Sequence, residues 1–253
     1  MATQPDTSDP FSLAGKRAVV TGGVKGIGAA ITSRLAGRGA QVLVMDRDAP
    51  ADPIEGVDYV QADIGDYAAV SAALGQAVSR FGGLDLVVNN AGWDKVEPFI
   101  DNHPALWDTL VRINLIGLFN MTHAALLIMR ERGGGRIVNI ASDAGRVGSS
   151  GEAAYSACKG GAIAFTKSIA REAARHGVLV NAVCPGPTDT PLLAEMRSDP
   201  SVDRLMEAIV RSTPLRKLAQ PDDIAAAVLY FASEPGHVTG QALSVSGGLT
   251  MAD

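Results

Sequence analysis

Four short runs of this chain, at 18–20, 42–45, 86–88 and 179–183, are apolar almost without a break. A strand with one face in water alternates apolar and polar residues, whereas a strand covered on both faces does not. These runs therefore predict strands buried inside a parallel sheet. Strands are expected at 17–21, 41–45, 58–61, 84–89, 136–140, 178–184 and 242–245, with helical periodicity at 27–38, 67–80, 104–131, 152–176 and 221–233. That is the rhythm of strand, helix, parallel strand, an α/β fold. No repeat or linker divides the chain, and its 253 residues, 47% of them hydrophobic, fit one large domain over 14–253 behind a loose, proline-broken leader over 1–13. The segment 188–214 departs from the rhythm. Its short helical patterns LLAEM and VDRLMEAIV follow a strand end between prolines, which reads as a flap over a ligand or as a surface excursion.

The first strand runs straight into TGGVKGIG at 21–28, and a helix follows. Glycines let a backbone turn sharply and approach a diphosphate, while the helix N-terminus offers N–H groups to the anion. Gly22, Lys25, Gly26, Ile27 and Gly28 are the candidate diphosphate contacts. The spacing is GxxxGxG, not the usual dinucleotide fingerprint, so context has to support it. Asp46 supplies that context, since it ends the second strand eighteen residues after Gly28, where a carboxylate would grip ribose hydroxyls. The same charge repels a 2′-phosphate and favours NAD over NADP, although Lys25 and Arg47 are placed to meet such a phosphate. Asp63, with Ile64 beside it, would accept from an adenine amino group or serve only as a turn residue, and Asp66 reads as a helix N-cap.

Tyr155 and Lys159 lie four apart in AAYSACKGGAIAFTK, so they share one helix face. A free tyrosine titrates near pH ~10, and a neighbouring ammonium favours its phenolate. Tyr155 would then exchange a proton near neutral pH, with Lys159 lowering its pKa. An incidental pair on an amphipathic helix has the same spacing.

Other classes of function find little support. A net charge of −5 gives no footprint for nucleic acid or anionic membranes. The apolar runs are short of a bilayer span and no signal-like start is present, so a cytoplasmic protein is expected. Cys158 and Cys184 read as buried thiols, and the four histidines lack ligand spacing, so no metal is expected.

In order along the chain, TGGVKGIG, Asp63, NNAG at 89–92, Asn114, Ser142, YSACK at 155–159 and CPGPTDT at 184–190 resemble the short-chain dehydrogenase/reductase family. The resemblance covers nearly the whole chain from Leu13. It implies a doubly wound Rossmann-type sheet of seven parallel strands with helices on both faces, and a homotetramer. It further implies that Asn90 and Gly92 line the cofactor, that Ser142 orients the substrate oxygen toward Tyr155, and that Lys159 holds the nicotinamide ribose. Asn114 would kink its helix and hold a water, and Pro185, Gly186 and Thr188 would cradle the nicotinamide. The reaction it implies is reversible oxidation of a secondary alcohol with NAD, NADP being possible.

Within that family, NNAGWDKVEPF, the stretch 136–161, CPGPTDT and TGQALSVSGGLTM look like 2-hydroxycyclohexanecarboxyl-CoA dehydrogenases. They are similar, less closely, to 3-oxoacyl-ACP and acetoacetyl-CoA reductases. The substrate expected from this likeness is a small molecule with an oxygen β to a thioester, a CoA thioester among the candidates. Trp93 would wall its ring, and Asp143 and Arg146 would flank the thioester. Arg197, Arg204 and Arg211 would meet CoA phosphates or form a solvated helix face. A general cyclic-alcohol dehydrogenase and a non-catalytic nucleotide sensor are the alternatives.

Overall fold

A computed structural model describes residues 9–233 and 236–252. Seven parallel strands form one sheet in the order β3-β2-β1-β4-β5-β6-β7. They are β1 (Arg17–Thr21), β2 (Gln41–Asp46), β3 (Asp58–Gln61), β4 (Leu86–Asn89), β5 (Gly135–Ile140), β6 (Val178–Pro185) and β7 (Ala242–Val245). The β-branched centres of β1, β2, β4 and β6 are buried, as unbroken apolar runs require.

Helices cover both faces. On one, α1 (Gly26–Gly37) packs with α9 (Pro221–Ala232); on the other lie α2 (Tyr67–Phe81), α4 (Gly117–Arg132) and α6 (Ala153–Ala173). Asp66 caps α2 as expected, its carboxylate accepting from the Ala68 and Ala69 N–H groups at 2.8 and 3.2 Å. The strand order reverses between β1 and β4, and a ligand crevice opens at such a switch point beside the carboxyl ends of the strands.

The structure differs from the sequence expectation in two places. Residues 1–8 of the expected leader lie outside the described residues, but residues 9–13 are anchored. Leu13 is buried, its N–H donates to the Arg38 carbonyl at 2.8 Å, and Asp9 pairs with Arg38 at 2.7 Å. The single helix expected over 104–131 is α3 (Pro104–Val111), a π-helical turn Arg112–Ile116, and α4. This apolar run is long enough to cross a bilayer by composition, yet it packs against α2, α6 and the sheet. The flap segment folds into α7 (Pro191–Met196) and α8 (Pro200–Ser212), which close on a small apolar core of Leu193, Val202 and Met206. One further short helix, α5 (Ala144–Val147), follows β5 and has no periodic signature in four residues.

Candidate active site

A cleft of about 760 Å³ opens over the carboxyl ends of the strands, roofed by α7 and α8. Its floor begins where β1 ends. Gly22 turns with φ +64°, and a Cβ there would sit 2.8 Å from the Ala91 Cα; on Gly28 a Cβ would lie 1.9 Å from the Gly22 oxygen. Only glycine fits both positions. Asn90 Nδ2 donates to the carbonyls of Thr21 and Gly22 at 3.0 and 2.9 Å, and Thr21 Oγ1 accepts from the Asn90 and Ala91 N–H groups. The glycine turn and the NNAG turn are thereby stitched together. Lys25, the α1 N-cap, makes no side-chain cap, so the first-turn N–H groups have no side-chain acceptor.

At the end of β2 the Asp46 carboxylate accepts from the Val24 and Asp48 N–H groups at 3.2 and 3.0 Å. Lys25 pairs with Asp48 at 3.2 Å, and Arg47 stands exposed on the rim. Asp63 accepts from the Gly65 N–H and from Arg112, both at 2.8 Å. Burial works to raise its carboxyl, but these donors outweigh it and hold the pKa below the usual value. A turn that any Cβ would fill, uncapped helix N–H groups and a carboxylate at the second strand's end together suit a dinucleotide's diphosphate and ribose diol.

The middle of the cleft is built by α5 and α6. A Cβ on Gly145 would lie 2.5 Å from the Lys159 carbonyl carbon, so α5 sits directly on α6 and brings the Ser142 turn against the Tyr155 helix. Lys159 is buried, donates to the Ile140 carbonyl at 2.9 Å, and stands 5.5 Å from the centre of the Tyr155 ring. Burial pulls its ammonium down to about 8, against Cys158, Asp94 and Cys184. Lys159 was expected to lower the Tyr155 pKa, but in this structure the phenol is pushed up. Burial is the main cause, then the Asp94 and Glu152 carboxyls, and only the Ser142 hydroxyl beside it opposes them. The lysine's charge meets the ring face and a backbone carbonyl instead of the phenol oxygen.

Of the residues singled out in the sequence, Gly22, Lys25, Gly26, Ile27, Asp46, Arg47, Asp63, Ile64, Asn90, Gly92, Trp93, Ser142, Asp143, Tyr155, Lys159, Pro185, Gly186 and Thr188 line this one cleft. Gly28 and Asn114 lie behind it. Asn114 sits in the π-helical turn, where Nδ2 donates to the Trp93 and Leu110 carbonyls at 2.7 and 3.1 Å. Asn114 and Lys159 share a second cavity of about 10 Å³, roughly the room one water needs.

Arg146 is a correction. Its guanidinium donates to the Ala242 carbonyl at 2.8 Å and to the Ala252 carbonyl, away from the cleft, because α5 turns that side chain toward β7. Asp143 lines the cleft, but its carboxylate accepts from Ser244 at 2.5 Å. Arg197 pairs with Asp203 and Arg211 with Glu207, and neither these two nor Arg204 lines the cleft. Sequence reasoning missed Asp94 and Glu152, which line the cleft, and the buried chain behind it. There Asn89 donates to Asn139 and Asn139 to Thr166, both at 2.8 Å. An asparagine near the carboxyl end of each of the largely apolar strands β4 and β5 was the available signal for the latter.

A family model described as Enoyl-(Acyl carrier protein) reductase matches residues 22–250. An acetoacetyl-CoA reductase of Shinella zoogloeoides is 40% identical over 91% of this chain and 97% of its own length. A 3-oxoacyl-(acyl-carrier-protein) reductase of Vibrio cholerae is 35% identical over 95% of this chain and its whole length. Among solved structures, levodione reductase superposes with a TM-score of 0.87 at 31% identity, covering 93% of this chain and 97% of that one.

Proposed function

The chain belongs to the short-chain dehydrogenase/reductase family and is an NAD(P)-dependent oxidoreductase acting on CH–OH groups, and from that premise we propose its cofactor and substrate. The cofactor is NAD, and the substrate a β-hydroxyacyl thioester of the 2-hydroxycyclohexanecarboxyl-CoA type. The observation that carries this reading is one cleft in which Tyr155, Ser142 and Lys159 stand between the Asp46 end and an apolar end. Trp93, Val147, Leu193, Met196, Met206 and Ile209 line that apolar end.

Lys25, Gly26, Ile27 and the Asp46 carboxylate would hold the dinucleotide, with Lys159 on the nicotinamide ribose. The bound nicotinamide supplies the hydride acceptor and, when oxidised, a positive charge. Tyr155 moves the proton at the reacting oxygen, and the Ser142 hydroxyl fixes that oxygen beside the phenol. The phenol pushed up by burial favours the proton-donating direction until cationic charge enters the cleft.

The apolar end suits an alicyclic acyl ring packed on Trp93 better than a sugar. Around it the charged lining is acidic, with Asp94, Asp143, Glu152 and Glu195, so the CoA phosphates stay outside in solvent and recognition rests on the acyl and thioester groups. Exposed apolar side chains at Val111, Ile116 and Leu127, and at Leu215, Leu243 and Met251, support two contact faces of a homotetramer. The reading is tested by steady-state kinetics. A cyclic β-hydroxyacyl-CoA should exceed cyclohexanol in kcat/KM by at least ~10²-fold with NAD, and equal values would reject thioester selection.

A further inference from the structure

Among the described residues, Asp94 and Asp143 each keep a buried carboxylate oxygen without a hydrogen-bond partner in the cleft wall, and Asp94 has a second acid beside it. Asp94, two residues past the NNAG turn, is 5% exposed. Its Oδ1 accepts from the Lys95 N–H at 2.7 Å, whereas Oδ2 is buried with no donor. An ionised carboxylate oxygen buried without a donor is costly. The group within its reach is another acid, Glu152, the N-cap of α6 and three residues before Tyr155. The two segments are held together by backbone, since the Glu97 N–H donates to the Gly151 carbonyl at 2.8 Å. Both side chains line the same cleft as Tyr155.

We propose that Asp94 and Glu152 share one proton across this wall, and that the pair is a positioning device that sets the pH at which Tyr155 exchanges its own. A buried carboxyl set against a second acid ionises only at a cost, so one proton stays on Asp94 Oδ2, facing Glu152. With the proton in place the pair carries one negative charge beside the phenol. Its loss doubles that charge and makes phenolate formation harder, so alcohol oxidation shifts to higher pH and ketone reduction persists there. Burial first, and then Glu152, lift the Asp94 carboxyl to about 8, within the range where such an enzyme works.

The other groups around the pair do not supply the missing proton. On the β4 loop the Lys95 ammonium turns to the surface and pairs with Glu97 at 2.6 Å. On α6, Lys159 donates to the Ile140 carbonyl, and Cys158 is a thiol that burial pushes up. Across the cleft Asp143 is bound to Ser244, Cys184 of β6 is a buried thiol pushed up to about 11, and Glu195 of α7 is exposed.

The inference rests on the alcohol–ketone reading of the cleft, and its test separates the two. Infrared difference spectra of the substrate-free protein carrying labelled aspartate should show the C=O stretch of a protonated carboxyl at pH 7. That band should vanish as pH rises through about 8 and be absent in Asp94→Asn. Lack of the band in the wild type overturns the shared proton, whatever the substrate. In turnover, Asp94→Asn and Glu152→Gln should both move the rise of oxidation and the fall of reduction to lower pH by about one unit. A merely structural role would lower rates at every pH without that shift. Unshifted profiles in both variants, with melting temperatures intact, overturn the coupling to Tyr155. If no thioester or cyclic alcohol is turned over, the substrate reading falls while the band still decides the pair.

Discussion

The Lys159 ammonium stands 5.5 Å from the centre of the Tyr155 ring while it donates to the Ile140 carbonyl at 2.9 Å. The lysine is thus held by the sheet, and its charge lies over the ring face. Replacing it with an uncharged chain of similar length removes the cation from both the aromatic ring and the ribose position. Lys159→Met should lower turnover at least ~10²-fold and raise the KM for the dinucleotide, with a normal circular dichroism spectrum. Steady-state kinetics at saturating substrate check this.

Asp94 makes stability depend on pH in an unusual direction. Its carboxyl titrates near 8 in the folded chain and near 3.8 when unfolded, so between those values the folded state binds the extra proton. Stability therefore falls as pH rises from about 4 to 8, the reverse of a salt-bridged carboxylate. Melting temperature measured across that range should decline in the wild type and be flatter in Asp94→Asn.

The proposed preference for NAD rests on Asp46. Its carboxylate is bonded to loop N–H groups at the β2 end, and Lys25 is engaged by Asp48, which leaves Arg47 as the rim cation. The wild type should prefer NAD to NADP in kcat/KM, and Asp46→Ser should cut that preference at least ~10-fold. A wild type that prefers NADP would contradict the assignment.

Behind the cleft, Asn139 bonds both Asn89 and Thr166 at 2.8 Å, and all three are buried. Asn139→Ala leaves donors and acceptors without partners in the sheet centre, at a cost of about 1–3 kcal/mol. Thermal melting should fall by several degrees, roughly 2–4 °C per kcal/mol for a domain of this size.

The central strands were legible because burial on both faces leaves unbroken apolar runs, as at Val42 to Met45, and each of the seven expected strands is found among the described residues. The glycine turn and the Tyr155–Lys159 pair were legible from spacing along a single element. What stayed hidden depends on chain segments far apart in sequence. Nothing local tells that Arg146 turns to the Ala242 carbonyl or that Asp94 meets Glu152. The helix irregularity at Asn114 was legible only through the family resemblance, since periodicity over 104–131 averages across one inserted residue. The direction of the Tyr155 pKa was hidden for a related reason: spacing identified the nearby cation, but the opposing burial and the Asp94 carboxyl come from other segments, and only Glu152 lies on the same helix end.

In the proposed reaction Tyr155 is the group that carries the proton at the reacting oxygen. The most direct measurement is single-turnover kinetics of Tyr155→Phe with a cyclic β-hydroxyacyl-CoA and NAD, alongside dinucleotide binding by fluorescence. Deleting the hydroxyl while keeping the ring should slow hydride transfer at least ~10²-fold and leave dinucleotide affinity near the wild type. A phenylalanine variant that reduces NAD at the wild-type rate would contradict it.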